Sequence, residues 1–237
     1  MPSTSCSKFF EDLREGRLPL KIASRDSNLA KAQVNECLQL LRTSYPKLQS
    51  LLITTKTQGD RDKLTPLHTI ENSDFFTRDV DALVCQGSCH IAIHSAKDLP
   101  TPSPLPLVAL TRCLHPADLL VYADHYTKEP FPSNPRLGSS SMRRGEVLKQ
   151  LFPLGQILNI RGTIEERLQQ LHNNTYDAVV LAKAAALRLG LSFLYSELLP
   201  PPYHPLQGRL ALTAYESIDL WRTFLSPIHD TNLRYSI

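Results

Sequence analysis

The sequence predicts an α/β fold of two domains, the second inserted into the first. Three observations carry that expectation. Short β-type runs alternate with segments of helical period through most of the chain, the pattern of mainly parallel sheets covered by helices. A length of 237 residues suffices for two modest domains, each with its own core. Two proline-rich stretches, DLPTPSPLPL at 98–107 and LLPPPYHPLQG at 198–208, interrupt the rhythm. Proline fixes φ and has no N–H to donate, so neither stretch suits regular structure. They read as paired crossovers, giving a first domain of 1–112 plus 205–237 and a second of 113–204, with a hinge beside a cleft.

The expected strands follow in order. PLKIAS (19–24), LLITTK (51–56), HIAIHS (90–95) and PLVALT (106–111) precede the first crossover. LLVYA (119–123), RLGSS (136–140), ILNIR (157–161) and DAVVLA (177–182) fall between the crossovers, and RLALTAY (209–215) follows the second. Each is a short apolar or β-branched run between polar or turn residues. Helices fill the gaps. SNLAKAQVNECLQLLRTSYP brings Leu29, Ala32, Val34, Cys37, Leu40 and Leu41 near one face and stops before Pro46. SMRRGEVLKQLFP and TIEERLQQLHNN follow the same logic.

Composition excludes several classes of function. A net charge of +3 requires no diffuse nucleic-acid surface, and the basic residues lack interleaved aromatics. The N-terminal stretch mixes Lys8, Glu11, Asp12, Arg14, Glu15 and Arg17 into its apolar residues, unlike a secretory signal. The most apolar stretch, YDAVVLAKAAALRLG, is broken by Lys183 and Arg188, so no membrane span is expected and the location is read as cytoplasmic. The five cysteines, Cys6, Cys37, Cys85, Cys89 and Cys113, form no CxxC pair and no ligand set with histidine. They read as reduced packing thiols, and no metal site is expected.

Chemistry concentrates at the ends of strands, where parallel α/β sheets bind ligands. IASRDS supplies Arg25 and Ser27, and IAIHSAKDLPT supplies Ser95, Lys97 and Asp98. GSSSMRR and NIRGTIEER add Arg143, Arg144, Arg161 and Arg167. Serine hydroxyls, the N–H groups of a first helical turn and two adjacent guanidiniums make LGSSSMRRGE an anion-holding segment. A plainer reading has one of Ser139, Ser140 and Ser141 as an N-cap and the two arginines on a solvated face. With arginine outnumbering acid, the expected ligand carries several carboxylates or phosphates. Asp98 is the group suited to stabilising a cation or moving a proton, unless it merely pairs with Lys97 at the surface.

Seven ordered motifs, IASRDSNLAKAQ, FFTRDVDALV, IAIHSAKDLPT, LGSSSMRR, ILNIRGTIEERL, YDAVVLAKAAALRLGL and HPLQGRLALTAYE, cover the chain from about 18 to 225. With them the chain resembles the porphobilinogen deaminase, or hydroxymethylbilane synthase, family. The resemblance implies two similar periplasmic-binding-protein-like domains with a hinge and an interdomain cleft. It implies a cytoplasmic transferase, expected to be a monomer, that joins four porphobilinogen units head to tail and releases ammonia at each addition. By motif position, Arg25, Ser27, Arg78, Ser95, Lys97, Ser139, Ser141, Arg143, Arg144, Arg161, Arg167 and Gln207 match the family's substrate and cofactor contacts. Asp98 matches its catalytic aspartate.

The sequence also departs from the family pattern. A third domain, whose loop cysteine carries a covalent dipyrromethane, is expected to be absent, since the sequence ends at Ile237 and all five cysteines precede residue 114. A dipyrromethane cofactor is therefore expected for the family but not as a covalent attachment here. Ser73 stands where the family loop has lysine, with Arg78 the next basic residue, and Arg209 replaces a small residue. Two functions remain open at this level. One is a deaminase that still polymerises porphobilinogen; the other is a non-catalytic bilobed clamp for pyrrole carboxylates or another polyanion.

Overall fold

The computed structural model describes residues 4–62, 65 and 73–232. In chain order its elements begin with α1 (Thr4–Arg14), β1 (Leu20–Arg25), α2 (Asn28–Ser44), β2 (Ser50–Thr55), α3 (Gln58–Arg61), α4 (Arg78–Cys85), β3 (Ile91–Ser95) and β4 (Leu107–Leu110). They continue with β5 (Asp118–Tyr122), β6 (Arg136–Gly138), α5 (Met142–Leu151), β7 (Gln156–Leu158), α6 (Ile164–His172), β8 (Ala178–Ala182), α7 (Lys183–Arg188) and β9 (Ser196–Leu198). β10 (Leu210–Thr213) and α8 (Ile218–Leu225) complete them. The chain divides into two compact units: Met1–Gln58, Asn72–Arg112 and Arg209–Ile237 form the first, and Gly59–Glu71 with Cys113–Gly208 the second.

The first unit is built on a five-stranded sheet in the order β2-β1-β3-β10-β4. β1 pairs in parallel with β2 and β3, because helical crossovers return the chain to the same sheet edge. β10 pairs antiparallel with both β3 and β4. One face packs Leu20, Ile22 and Ile93 against Leu13 of α1, Val34 and Leu41 of α2, and Phe224 of α8. The other packs Ala23 and Ala92 against Val80 and Val84 of α4.

The second unit repeats the plan in the order β7-β6-β8-β5-β9. β6 is parallel to β7 and β8, whereas β5 is antiparallel to β8 and β9. β5 and β8 are buried along their whole length, which explains their near-continuous apolar sequences. Leu119, Val121 and Val179 face a core shared with Leu171 of α6 and Ala186 of α7; Leu120, Ala178 and Val180 face Val147 and Leu148 of α5.

Several expectations need correction. The sheets are evenly mixed rather than mainly parallel, because β5 and β10 each enter by a crossover between units instead of a helical βαβ connection. The buried face of α2 is Ala30, Gln33, Val34, Cys37, Leu38 and Leu41: Val34, Cys37 and Leu41 are as expected, whereas Ala30, Gln33 and Leu38 take the places expected of Leu29, Ala32 and Leu40, and Leu40 is turned to solvent. RLGSS and ILNIR are strand only over 136–138 and 156–158, since each turns early toward the helix that follows. α1, α8 and β9 were not singled out from the sequence. α1 exists because Phe10 and Leu13 are buried, with the Phe10 ring 4.7 Å from Trp221 of α8 in an edge-to-face contact.

Candidate functional site

In the second unit, the three serines leave β6 and divide the work between them. Ser139 is buried; its N–H donates to the Leu158 carbonyl, and its hydroxyl accepts from the Ser141 N–H at 3.4 Å. The Ser140 hydroxyl accepts from the Ile160 N–H at 2.9 Å and donates to the Ile160 carbonyl, fixing the turn against the end of β7. Ser141 is the N-cap of α5 in extended conformation, yet its side chain makes no capping hydrogen bond. The first-turn N–H groups of α5 are therefore not satisfied by the side chain of its own cap.

The two arginines of this helix converge on one acid, Asp118, the first residue of β5. Arg144 is buried and donates from Nε and Nη2 to Asp118 Oδ1, at 3.0 and 2.5 Å. Arg143 donates from Nη2 to Asp118 Oδ2 at 3.0 Å and from Nη1 to the Pro202 carbonyl at 2.6 Å. Gln207 completes the group, its Nε2 donating to Asp118 Oδ1 at 2.9 Å and to the Pro116 carbonyl at 2.7 Å. The adjacent Gly208 adopts φ +81°, and a Cβ there would lie 2.5 Å from the His115 carbonyl oxygen, so only glycine lets these segments run so close. Asp118 was not among the residues expected from sequence; the available signal was an acid heading an otherwise apolar strand.

Arg161 is largely buried, and its guanidinium donates to the carbonyls of Gly59, Asp62 and Thr65. Burial pulls its pKa below the usual arginine range. Those donors hold the chain's own backbone. Arg167, on α6, donates from Nε to the Gly162 carbonyl at 2.9 Å. α6 itself starts with a capping box between Thr163 and Glu166.

In the first unit, Arg25 ends β1 with its guanidinium carbon 4.7 Å from the centre of the Phe76 ring. Ser27 caps α2, accepting from the Ala30 N–H at 3.2 Å. Arg78 is exposed and paired in fork fashion with Asp74, at 2.7 and 2.6 Å. Ser73 lies beside that pair in sequence, while residues 70–72 of the same segment fall outside the described residues. Ser95 ends β3, in register with Leu210 of β10. The chain then turns through a short 3₁₀ segment, Ala96–Asp98, which carries Lys97 and Asp98. Asp98 is half-buried, and its carboxylate makes no hydrogen bond or ion pair among the described residues. The surface pair with Lys97 is not formed.

The cysteines separate by environment. Cys37 and Cys89 are buried, and burial pushes the Cys89 thiol up. Cys113 donates to the Gln207 carbonyl at 3.1 Å. Cys85 is exposed, contrary to expectation, because it sits on the outer side of the last turn of α4, whose buried face is Val80, Asp81 and Val84. Among the described residues no group of three His, Cys, Asp or Glu side chains is arranged to hold a metal ion, and no helix is long and apolar enough to cross a membrane.

Two α/β units on mixed five-stranded sheets, with polar and basic groups at strand ends and helix starts, define a protein of the periplasmic-binding-protein-like class. The fold is similar to that of an ancestral cationic amino acid solute-binding protein, with a TM-score of 0.53 at 12% identity over 92% of each chain. It is also similar to immunogenic lipoprotein A from Vibrio vulnificus, with a TM-score of 0.52 at 11% identity over 88% of this chain and 94% of that one. Residues 20–219 match the family model described as porphobilinogen deaminase, dipyromethane cofactor binding domain. A probable porphobilinogen deaminase of Chlamydia pneumoniae is 66% identical over 218 residues, which are 92% of this chain and 93% of that one. The corresponding protein of Chlamydia trachomatis serovar D is 50% identical over 90% of this chain and 89% of its own. The porphobilinogen deaminase of Moorella thermoacetica is 34% identical over 79% of this chain and 60% of its own. The chain belongs to the porphobilinogen deaminase family, transferases of tetrapyrrole and haem biosynthesis that condense porphobilinogen.

Proposed function

We propose that this chain condenses four porphobilinogen units into linear hydroxymethylbilane, with Asp98 as its catalytic carboxylate, acting as a monomer in the cytoplasm. The observation that supports the assignment is the half-buried Asp98, which has no hydrogen-bond or ion-pair partner among the described residues. Asp118, Asp177 and Asp230 all accept hydrogen bonds from arginine, so an unanswered acid beside Lys97 is available to a substrate. A clamp without turnover would gain nothing from such an acid at a site for carboxylates.

The chemistry follows from where charge moves. The aminomethyl group of porphobilinogen is protonated at neutral pH. Its C–N bond breaks with both electrons leaving on nitrogen, ammonia departs, and the positive charge passes to the pyrrole ring and its methylene carbon. Asp98 accepts a hydrogen bond from the ring N–H and stabilises that cation. The free α-carbon of another pyrrole then attacks the methylene and loses its proton, exchanging a C–N bond for a C–C bond; one methylene cation is instead captured by water, which loses a proton and supplies the hydroxyl of the linear product.

Each pyrrole carries an acetate and a propionate, which call for fixed cationic groups supported by neutral hydroxyl and N–H donors. In the second unit these are Ser139, Ser141, Arg143, Arg144 and Arg167, with the uncapped first turn of α5; in the first they are Arg25, Ser27, Arg78, Ser95 and Lys97. Arg161 and Gln207 support the second set through the backbone and Asp118. Each set, taken within its own unit, has the donors that a carboxylate arm of the dipyrromethane named by the family model calls for. When bound, that group supplies the pyrrole on which the first unit is condensed. We assign it a non-covalent hold: Cys37 and Cys89 are buried, the Cys113 thiol is engaged with Gln207, and the two that remain, Cys6 and Cys85, stand on helices α1 and α4 rather than on a strand-end loop.

The test is loss of porphobilinogen and release of ammonia by protein purified from a host lacking its own deaminase. Stoichiometric release of one ammonia per porphobilinogen consumed is expected. Binding of porphobilinogen without consumption would overturn the enzymatic reading in favour of a clamp.

A further inference from the structure

Asp118 stands out in β5: Leu119, Leu120, Val121 and Tyr122 are buried and mostly apolar, yet the strand begins with an acid whose side chain is 2% exposed. Stability alone does not account for it, because a buried ion pair often only breaks even against apolar replacement. Its contacts are selective. Asp118 Oδ1 takes Nε and Nη2 of Arg144 and Nε2 of Gln207, while Oδ2 takes Nη2 of Arg143. Arg144 Nη2 also reaches Gln207 Oε1 at 3.4 Å. Among the described residues, Nη1 of Arg144 and Nε of Arg143 make no hydrogen bond.

We propose that Asp118 is a positioning residue of the carboxylate site: it holds Arg143, Arg144 and Gln207 in fixed orientations while leaving Nη1 of Arg144 and Nε of Arg143 to the substrate. Three physical effects combine. Two adjacent arginines repel each other, and an acid shared between them lets both stay close while keeping the group cationic. An arginine loses considerable side-chain freedom on binding an anion, and one already fixed by a second carboxylate has lost it beforehand. Occupying the Nε and Nη2 edge of Arg144 leaves the Nη1 donors for the ligand. The inference rests on the porphobilinogen reading and deepens it by naming what aligns the site.

The decisive experiment measures porphobilinogen binding by calorimetry in an Asp98→Ala background, where substrate is held but not consumed, with and without Asp118→Asn. Asn keeps the shape and one acceptor but loses the charge. Binding is expected to weaken by about tenfold or more, the scale of one charge-assisted hydrogen bond, while the circular dichroism spectrum and melting transition stay cooperative. In the otherwise wild-type enzyme, Asp118→Asn raises KM by a similar factor and leaves kcat nearly unchanged. A merely structural acid would instead reduce the folded fraction, lowering apparent kcat at constant KM; that result, or binding within about twofold of the parent, overturns the proposal. If Asp118→Asn fails to fold, Asp118→Glu displaces the same charge by one methylene, and binding equal to the parent overturns the proposal equally. An Asp98→Ala parent that binds no porphobilinogen, together with a wild type that consumes none, would instead defeat the porphobilinogen reading itself and this inference with it.

Discussion

Arg209 Nη1 lies 2.7 Å from Asp230 Oδ2, so the residue that follows the second crossover is tied by an ion pair to the C-terminal segment. The same nitrogen donates to the Thr111 carbonyl at 2.9 Å. Around it, the Asp230 N–H donates to the Leu110 carbonyl and the Leu110 N–H to His229 Nδ1, so residues 229–230 satisfy backbone groups of β4. The hydrogen bond from Arg209 holds the Asp230 carboxyl below its ordinary range. The large residue at position 209 is thus accommodated by an acid within the same unit.

Arg209→Leu should therefore loosen the C-terminal segment without unfolding the sheet. Hydrogen exchange followed by mass spectrometry is expected to show faster exchange of the Asp230 and Leu110 amides, with β1 and β3 unchanged. Uniformly faster exchange across the first unit would assign Arg209 to global stability instead.

Arg143 and Arg144 should behave differently when removed. Arg144 is buried on Asp118, so Arg144→Ala leaves that buried carboxylate with only Arg143 and Gln207 as partners and is expected to cost about 3 kcal/mol in urea unfolding. Adding Asp118→Asn to Arg144→Ala should recover part of that loss. Arg143 is a quarter exposed, and Arg143→Ala should cost about 1 kcal/mol.

Asp98→Asn should separate chemistry from binding. Turnover of porphobilinogen is expected to fall by about 10²–10⁴, the range for removing a positioned acid or base, with affinity for porphobilinogen within about threefold. A parallel loss of affinity would place Asp98 among the substrate-holding groups.

His90 gives the first unit a defined response to acid. Its Nδ1 accepts from the Lys21 N–H at 3.1 Å, and its ring lies against Phe9 and Trp221. Burial, followed by the Lys21 charge, lowers its pKa from the ordinary 6.5. With the folded value depressed, the unfolded chain takes up the proton first. The stabilisation from neutral His90 is complete above about pH 6.5 and is lost as pH falls toward the folded value. His90→Asn, which keeps an acceptor for Lys21, should flatten the pH dependence of unfolding as pH falls below about 6.5. An identical slope in both proteins would remove His90 as the cause.

Intact-mass measurement after denaturation should give the mass of the polypeptide alone. A persistent increment of one dipyrromethane would overturn the non-covalent assignment and direct attention to Cys85 and Cys113, neither of which is buried.

The sequence by itself determined what depends on local chemistry and short-range period. The alternation of strands and helices, the strands around 20–25, 91–95 and 178–182, an N-cap somewhere among Ser139, Ser140 and Ser141 and the basic residues at strand ends were all legible, because turn residues, apolar runs and clustered charge act within a few positions. Which partner a residue meets is decided across long separations, and there the tertiary structure ruled. Leu38 rather than Leu40 is buried because of where α2 lies on the sheet, and α1 is held by aromatics more than 200 residues away on α8. Arg161 turns to backbone carbonyls about 100 positions earlier, and Arg144 to an acid 26 positions earlier, so donors that sequence assigns to a ligand are shared with the chain itself. Asp98 differs for the same reason: nothing in HSAKD reveals that its carboxylate finds no partner among the described residues, since a charge's availability depends on every group the fold brings near it.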